Sequence, residues 1–378
     1  MRLFVTLCLC FLLLACQNQP QSVDPVKPVL VSDTYEQSQQ DWDALPPMAP
    51  PEGLRACCAF GYNLKAQLWN IAIPFYDIDN IVEAQKLGKH HYNDSVIGAS
   101  AALLGVSAEK VGLLYTHKGG FIDISHVRDT ADYTLYLFSQ IYAHLGQEWQ
   151  LTLNNELAAR KIHFFAFTPP QDPAERYTLS AYLAARFAFQ LAAWHEIAQW
   201  YGYQSVPGFS EEISAFSPED LYSNLLGARL ALTLILTGHA SSVTQFSTSV
   251  DKILPMALHE LGDYSRSGTK AIFDSVDGLW WNSYRRIPEK FLVLHRNYDI
   301  QDNRSPLMPF GKEHLALRLS LPEHYQHFSL EKLAEFQLWS THEMKNLPVP
   351  KPYWTVKDFK RLAENAQRED EKQLLLNK

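Results

Sequence analysis

A histidine and a glutamate stand side by side in a long apolar stretch of the sequence. His195 and Glu196 follow aliphatic and aromatic residues and come shortly before Trp200. Burying either side chain there costs free energy unless a partner satisfies it. On a helix, Gln199 lies one turn beyond His195 on the same face. Such a pair can hold a metal ion or transfer a proton, so residues 194–202 are the first candidate site.

The segment resembles the HExxHxxG helix of zinc metallopeptidases. In that helix two histidines hold the metal and the glutamate is the general base. His195, Glu196 and Gly202 match the motif, and Gln199 stands where the second histidine would be. The resemblance implies zinc as cofactor, His195 as a ligand or acid–base group, and Glu196 as the general base. Because an amide is a poorer zinc ligand than imidazole, other residues must complete such a site.

A second polar group lies where a predicted strand meets a predicted helix. The helix is expected from Ser125, as its N-cap, to about His144. His126 and Asp129 then share a face, one turn apart. One histidine, one arginine and three aspartates within ten residues indicate either a functional site or a network of caps and salt bridges. If this group is a functional site, His126 and Asp129 would complete the site at the position that Gln199 leaves open.

A third ligand can be sought on the next helix. In glutamate-type zinc peptidases, which the segment at 195–202 resembles, that ligand is a glutamate on a helix after the motif. Glu219 lies in the quartet Ser-Pro-Glu-Asp at 217–220, a strong helix start with Ser217 as the cap. Glu219 is therefore either a metal ligand, together with His126 and His195, or a complement to the positive end of the helix.

The alternative is that His195 and Glu196 are structural groups, each satisfied by partners inside a helical core. Distance separates the two interpretations. If the side chains of His126 and His195 meet at one concave pocket, a functional site is supported. If they point into separate cores, it is not.

The first fifteen residues have the pattern of a lipoprotein signal peptide. They are apolar through Leu14 and end in Leu-Leu-Ala-Cys at positions 13–16, which resembles the bacterial lipobox. The segment is too short to span a membrane. The resemblance implies that Cys16 is acylated, and Gln17 in place of an aspartate favours the outer membrane. The whole chain also resembles an uncharacterised family of bacterial lipoproteins with a domain of unknown function, which implies no activity.

Four segments follow from these patterns: a signal peptide at 1–15, a proline-rich tether at 16–53, a globular domain at 54–350 and an amphipathic C-terminal helix at 351–378. Seven prolines lie between residues 17 and 51. As a flexible coil, the tether would reach about 30 Å.

Two cysteines remain in the folding part of the chain. Cys57 and Cys58 are adjacent, so they cannot build a disulfide framework. They can form a vicinal disulfide or remain two small buried groups. A nucleophilic thiol would need a histidine partner that the sequence does not locate. We expect a structural role, because their neighbours are apolar apart from Arg55.

Composition narrows the classes of function. The chain has 33 basic and 41 acidic residues and 47% apolar residues. Because basic clusters are lacking, we expect no nucleic-acid partner. Long helices with a few short strands, including a hairpin at 111–124, predict an α+β fold dominated by helix. Two functions remain: an envelope hydrolase, metal-dependent and zincin-like, or a non-catalytic lipoprotein that holds other envelope components. The sequence names neither the substrate nor the protein partner.

Overall fold

The computed structural model describes most of the chain: residues 26–35, 45–51, 55, 59–68, 71–93, 109–205 and 210–376. Within these ranges, six α helices and several small antiparallel sheets form the α+β fold that the sequence predicts. The predicted signal peptide, Cys16, Cys57 and Cys58 lie outside the described residues. None of the helices in the described ranges combines the length and the hydropathy needed to cross a bilayer.

Three helices form the centre of the molecule. The six helices are α1 (Ile124–His144), α2 (Pro173–Trp200), α3 (Asp220–Leu236), α4 (Val243–Leu261), α5 (Arg266–Val276) and α6 (Val356–Leu376). α1, α2 and α3 pack against one another, α4 packs on α3, and α6 packs on α2. Every residue of α3 is buried. A helix that is apolar on nearly all sides belongs inside a core, so α3 sits at the middle of the bundle.

The strands are short and lie around this bundle. They are β1 (Leu64–Leu68), β2 (Ile71–Ile78), β3 (Leu113–Thr116), β4 (Gly120–Asp123), β5 (Trp149–Thr152), β6 (Ala159–Phe164), β7 (Asn303–Arg304), β8 (Leu319–Ser320), β9 (His324–Tyr325), β10 (Phe328–Ser329), β11 (Ala334–Trp339) and β12 (Tyr353–Trp354). The largest sheet has the order β12-β11-β6-β5. β3 and β4 form the predicted hairpin, which leads directly into α1. The hairpin therefore sets where α1 begins.

The helix caps differ from the sequence prediction by a few residues. α1 is capped by Asp123, whose side chain accepts a hydrogen bond from the Ser125 N–H at 2.7 Å, so Ser125 is not the cap. α3 begins at Asp220, and Ser217 lies in the turn before it. Glu219 is therefore the residue that precedes the helix. As a result, carboxylates stand at the start of both α1 and α3.

A glycine allows these two helices to approach closely. A Cβ atom added to Gly227 would lie 2.1 Å from the carbonyl oxygen of Val127, which is backbone and cannot move aside easily. Gly227 is on the α3 face that carries Asp220 and Asn224, since these positions recur at helical spacing. The contact therefore brings that face of α3 against the first turns of α1.

Part of the predicted tether belongs to the globular domain. Val26 and Leu30 are buried in the main core. Arg229 of α3 is buried beneath this segment and donates hydrogen bonds to the carbonyl of Val29, at 3.2 Å, and to Asp33, at 2.6 Å. A buried guanidinium needs several acceptors, and the segment at 26–35 supplies them. Residues 26–35 are thus docked on the bundle and are not a free coil.

Candidate functional site

Two carboxylates and one imidazole meet where α1 and α3 begin. Asp123, His126 and Asp220 each place one potential ligand atom within 4.8 Å of the other two, and all three residues are buried. The Nε2 atom of His126 lies 3.3 Å from Oδ1 of Asp220. Oxygen and imidazole nitrogen atoms in such a group are a donor set that binds divalent cations.

Two further carboxylates surround this group. Glu196 projects from the middle of α2 and is fully buried, and Glu219 precedes Asp220. We call these five residues, Asp123, His126, Glu196, Glu219 and Asp220, the carboxylate–histidine cluster. Burial raises the pKa of Glu196, Glu219 and Asp220, and repulsion from neighbouring carboxylates raises the latter two further. These groups therefore resist ionisation unless a cation joins them.

Several carboxylate oxygens of the cluster receive no hydrogen bond from the described part of the protein. The Oε2 atom of Glu196 accepts a hydrogen bond from the Phe216 N–H at 2.6 Å. Within the described part of the chain, no N–H group donates to its Oε1 atom or to either oxygen of Asp220. A buried acceptor without a donor costs free energy, so each such atom needs an explanation. A bound cation would provide one.

Two buried arginines lie nearby, but the hydrogen bonds they donate go to backbone carbonyls outside the cluster. Arg296 donates to the carbonyls of Ile213, at 3.2 Å, and Lys290, at 2.6 Å. Arg304 donates to the carbonyl of Asp299 at 2.7 Å. Among the described residues, neither arginine forms an ion pair with a carboxylate of the cluster. The positive charge of Arg296 acts on Glu196 and Asp220 without direct contact, so it does not take the place of a bound cation.

The histidine of the cluster is in the form that binds metals. Burial lowers the pKa of His126 to about 4. His126 is therefore neutral at physiological pH, and a neutral imidazole can offer a lone pair to a metal ion.

His195 faces a different partner. Its Nδ1 atom lies 3.6 Å from Oε2 of Glu156, a residue in the loop between β5 and β6. Although burial opposes the effect, the Glu156 carboxylate raises the pKa of His195. Arg160 in turn contacts the other Glu156 oxygen at 2.8 Å. His195 thus belongs to a charged group with Glu156 and Arg160, and it is not one of the three grouped ligand residues.

His126 and His195 nevertheless meet at one cavity. The cavity is small, with a volume of about 20 Å³. Among the residues that line it are His126, Asp129, Glu156, Arg160, His195 and Asn224. The cavity lies between α1, α2 and α3, which supply the side chains on three of its sides. The convergence that distinguishes a site from two separate cores is therefore present.

Asp129 lines the cavity but is held by an arginine. Its two oxygens accept hydrogen bonds from the backbone N–H of Arg55, at 2.9 Å, and from Arg55 Nη1, at 2.7 Å. Burial raises the pKa of Asp129 to about 6, although Arg55 opposes this. Arg55 also contacts Asp132, at 3.1 Å, and Glu109, at 2.6 Å. Asp129 is thus part of a salt-bridge network, the alternative that the sequence left open for it.

This second buried group is the ion-pair network, formed by Arg55, His90, Glu109, Arg128, Asp129 and Asp132. His90 Nε2 lies 2.9 Å from Asp132, and its Nδ1 lies 3.3 Å from Glu109. Arg128 is in contact with Glu109 and donates to the carbonyl of Leu87 at 2.8 Å. The polar residues predicted around 123–132 therefore separate into two groups along α1.

The sequence prediction and the geometry name overlapping residues. Glu219 is in the cluster but outside the three grouped ligand residues, and Gln199 donates to Glu211 at 3.2 Å, away from them. Asp123 and Asp220 were not singled out. The spacing of Asp123 and His126, one turn apart on a helix, is the signal that could have found the first of them.

The fold and the site define a helical α+β protein with a buried carboxylate–histidine cluster beside a small cavity. The family model described as "Protein of unknown function (DUF4056)" matches residues 45–309. Because this is well over half of the chain, the chain belongs to that family. No curated protein and no solved structure matches the chain. The cluster and the cavity lie within the matched residues, whereas α6 lies outside them.

Proposed function

We propose that this chain is a zinc-dependent hydrolase of the bacterial cell envelope, anchored by a lipid on Cys16. The carboxylate–histidine cluster carries the proposal, because buried oxygens of Glu196, Glu219 and Asp220 receive no hydrogen bond among the described residues, and a bound cation would stabilise them. Asp123, His126 and Asp220 would hold the ion. Two oxygens and one imidazole nitrogen suit zinc in catalytic sites, where three protein ligands leave a position for water.

The neighbouring side chains suit hydrolysis. When bound, zinc would lower the pKa of a water molecule and polarise the bond to be cleaved. Glu196 has one oxygen held by Phe216 and a second that receives no N–H donor in the described chain, so it can take a proton from water. His195 lines the cavity with Glu156 against its Nδ1 atom, so it can give a proton to the leaving group.

The location in the envelope rests on the lipobox-like residues 13–16 and on where the domain begins. Val26, which is packed in the core, lies only ten positions after Cys16. Such a segment spans at most about 35 Å when fully extended. The proposed lipid would therefore hold the domain close to the bilayer surface, where envelope substrates are reached directly.

The test uses the full chain with Cys16→Ala, which we expect to leave the membrane fraction. The protein is stripped with a chelator, reloaded with zinc and assayed with 4-nitrophenyl acetate as the probe. We expect hydrolysis only after reloading, and a loss of about 100-fold or more in Glu196→Gln, the variant that lacks the general base. Glu148→Gln, at an exposed carboxylate far from the cluster, should hydrolyse at the parent rate.

Equal rates for the stripped and reloaded proteins would contradict the proposal, as would parent-like hydrolysis by zinc-loaded Glu196→Gln. Either result would favour the non-catalytic alternative, a lipoprotein in which the buried carboxylates are protonated and structural.

A further inference from the structure

A tight turn at residues 213–216 supplies a hydrogen-bond donor to Glu196. We call it the Phe216 turn, because the Phe216 N–H donates to Oε2 of Glu196 at 2.6 Å. Phe216 has a φ of 57°, a left-handed conformation that is unfavourable for a residue with a bulky side chain and persists only where surrounding contacts hold it. Glu219 and Asp220 follow closely in the chain, and α3 begins at Asp220. The turn therefore sets both the partner of Glu196 and the place where α3 enters the cluster.

Three consecutive residues from a distant part of the chain hold the Phe216 turn. Arg296 donates to two carbonyls of the turn, one of which is that of Ile213, at 3.2 Å. The Asn297 N–H donates to the carbonyl of Phe216 at 2.8 Å. The Tyr298 ring packs on the Phe216 ring, with 5.0 Å between the ring centroids. These contacts explain how the unfavourable conformation of Phe216 is maintained.

A carboxylate of the C-terminal helix holds these residues in turn. Asp370 of α6 is buried, and its Oδ2 atom accepts a hydrogen bond from the Tyr298 hydroxyl at 2.7 Å and lies 3.6 Å from Nε of Arg296. Its Oδ1 atom lies 2.8 Å from Nζ of Lys290, whose carbonyl accepts a hydrogen bond from Arg296. Trp200 Nε1 of α2 also donates to Asp370, at 3.0 Å. A buried carboxylate with this many partners fixes the groups around it.

Two routes therefore connect Asp370 to Glu196. One runs through α2, on which Trp200 lies one turn beyond Glu196. The other runs through Arg296 and Tyr298 to the Phe216 turn. None of the partners of Asp370 named here belongs to the carboxylate–histidine cluster. Any effect of Asp370 on the site must then act through the position of other groups.

We propose that Asp370 is a positioning residue of the zinc site. From α6 it fixes the Phe216 turn, and through that turn it sets the orientation of Glu196 and the place of Asp220. This inference rests on the proposed function, because the ion that it serves is the proposed zinc. Residues that orient the groups around a metal commonly change metal affinity when they are replaced. The docked C-terminal helix is thus required for a complete site.

The first measurement is made on metal-free protein. In the full chain with Cys16→Ala, hydrogen–deuterium exchange followed by mass spectrometry reports how often each peptide opens. In Asp370→Asn, we expect peptides that cover residues 211–217 to exchange about tenfold faster than in the parent, while peptides from α1 exchange at the parent rate. A general loss of stability would instead speed exchange in α1 as well. Glu364→Gln changes an α6 carboxylate that pairs with Lys360 at the surface, and this matched control should exchange as the parent does.

The second measurement is the zinc affinity of the same proteins. Asp370→Asn should bind zinc about tenfold more weakly than the parent, and Glu364→Gln should bind it equally well. Tyr298→Phe removes the hydroxyl that donates to Asp370 and keeps the ring that packs on Phe216. It should change both exchange and zinc affinity in the same directions by a smaller factor, about threefold. This milder variant decides the matter if Asp370→Asn fails to fold.

Three results in Asp370→Asn would each overturn the inference: parent-like exchange at residues 211–217, exchange that rises equally in α1, or parent-like zinc affinity. If that variant does not fold, parent-like exchange or parent-like zinc affinity in Tyr298→Phe would overturn it. A parent protein that retains no zinc would instead contradict the proposed function, and the exchange comparison would still show whether Asp370 holds the Phe216 turn. The two failures are therefore distinguishable.

Discussion

α1 carries two buried polar groups that differ in charge balance. The ion-pair network sets three carboxylates against two arginines and a histidine, and Arg55 alone contacts all three carboxylates. The carboxylate–histidine cluster sets four carboxylates around His126, whose pKa is lowered to about 4 by burial. The same residue types thus form a charge-balanced network around Arg55 and, near the start of α1, a cluster in which carboxylates outnumber cationic groups. Charge balance, more than residue type, separates structure from a candidate site.

The pKa shifts follow the same division. In the network, burial alone would raise the pKa of Glu109 and Asp132. Their charged and hydrogen-bonding partners outweigh burial and lower the pKa of both carboxyl groups. In the cluster, burial and like charges raise the pKa of Glu219 and Asp220. Ionisation is therefore favoured for Glu109 and Asp132 in the network, and it is disfavoured for Glu219 and Asp220 in the cluster until a cation is added.

The largest loss of stability should come from removing an arginine of the ion-pair network. Arg55→Met would leave three buried carboxylates without their shared partner, so we expect the free energy of unfolding to fall by about 3–5 kcal/mol. Urea unfolding measures this change. Arg285→Met removes a partly exposed pair with Glu289, and should cost less than about 1 kcal/mol. Similar losses in the two variants would mean that the network is not a structural unit.

The helix contact beneath the cluster should be the next most sensitive. Gly227→Ala places a methyl group against the Val127 carbonyl, and we expect a loss of about 1–3 kcal/mol from overpacking. Gly268→Ala, in α5, meets the Tyr264 side chain at 3.2 Å and should change stability by less than about 1 kcal/mol. Thermal unfolding compares the two. A stable Gly227→Ala protein would show that α1 and α3 need not approach so closely.

Replacing an aspartate by asparagine should change the free energy of unfolding in opposite directions in the cluster and in the network. In the metal-free protein, Asp220→Asn removes a carboxylate that its neighbours repel, so it should raise the free energy of unfolding by about 1–2 kcal/mol. Asp132→Asn removes a partner of Arg55 and His90 and should lower it. Glu196→Gln should behave like Asp220→Asn. If Asp220→Asn destabilises the metal-free protein as Asp132→Asn does, the carboxylates of the cluster have stabilising partners just as those of the network do.

Lowering the pH should reduce the contribution of the ion-pair network to stability. The pKa of Glu109 and of Asp132 is lower in the folded state than the usual values of about 4 for unfolded carboxylates. Their contribution to stability is therefore present above about pH 4 and is lost as pH falls through the folded pKa values. Asp129, with its pKa raised to about 6, acts in the opposite direction. Urea unfolding of Glu109→Gln should show a shallower acid dependence than the parent below pH 4. An unchanged acid dependence would remove Glu109 as a source of the effect.

Local patterns predicted much of the fold. The hairpin before α1 and the extent of α1 followed from turn residues and helical period. The amphipathic C-terminal helix is also present, and at its start the Thr355 N–H donates to the Asp358 carboxylate at 3.1 Å. These features depend on neighbours in sequence. The tether prediction was wrong for residues 26–35 because the burial of Val26 and Leu30 depends on a tertiary contact with α3.

The site was predictable only in part for the same reason. Motif resemblance pointed to α2, whereas the grouped ligand residues come from the first turns of α1 and α3. The pairing of His195 with Glu156 and of Asp129 with Arg55 joins segments far apart in the chain, and no local pattern reports it. Two helix starts become one site only through the close contact at Gly227.

Zinc titration of the full chain with Cys16→Ala tests the central claim most directly. We expect one zinc ion per chain, bound at least tenfold more weakly by His126→Ala and by Asp220→Asn. His195→Ala should keep the parent affinity, because His195 pairs with Glu156 and lies outside the grouped ligand residues. A parent protein that retains no zinc, or a His126→Ala protein that binds zinc as the parent does, would contradict the account.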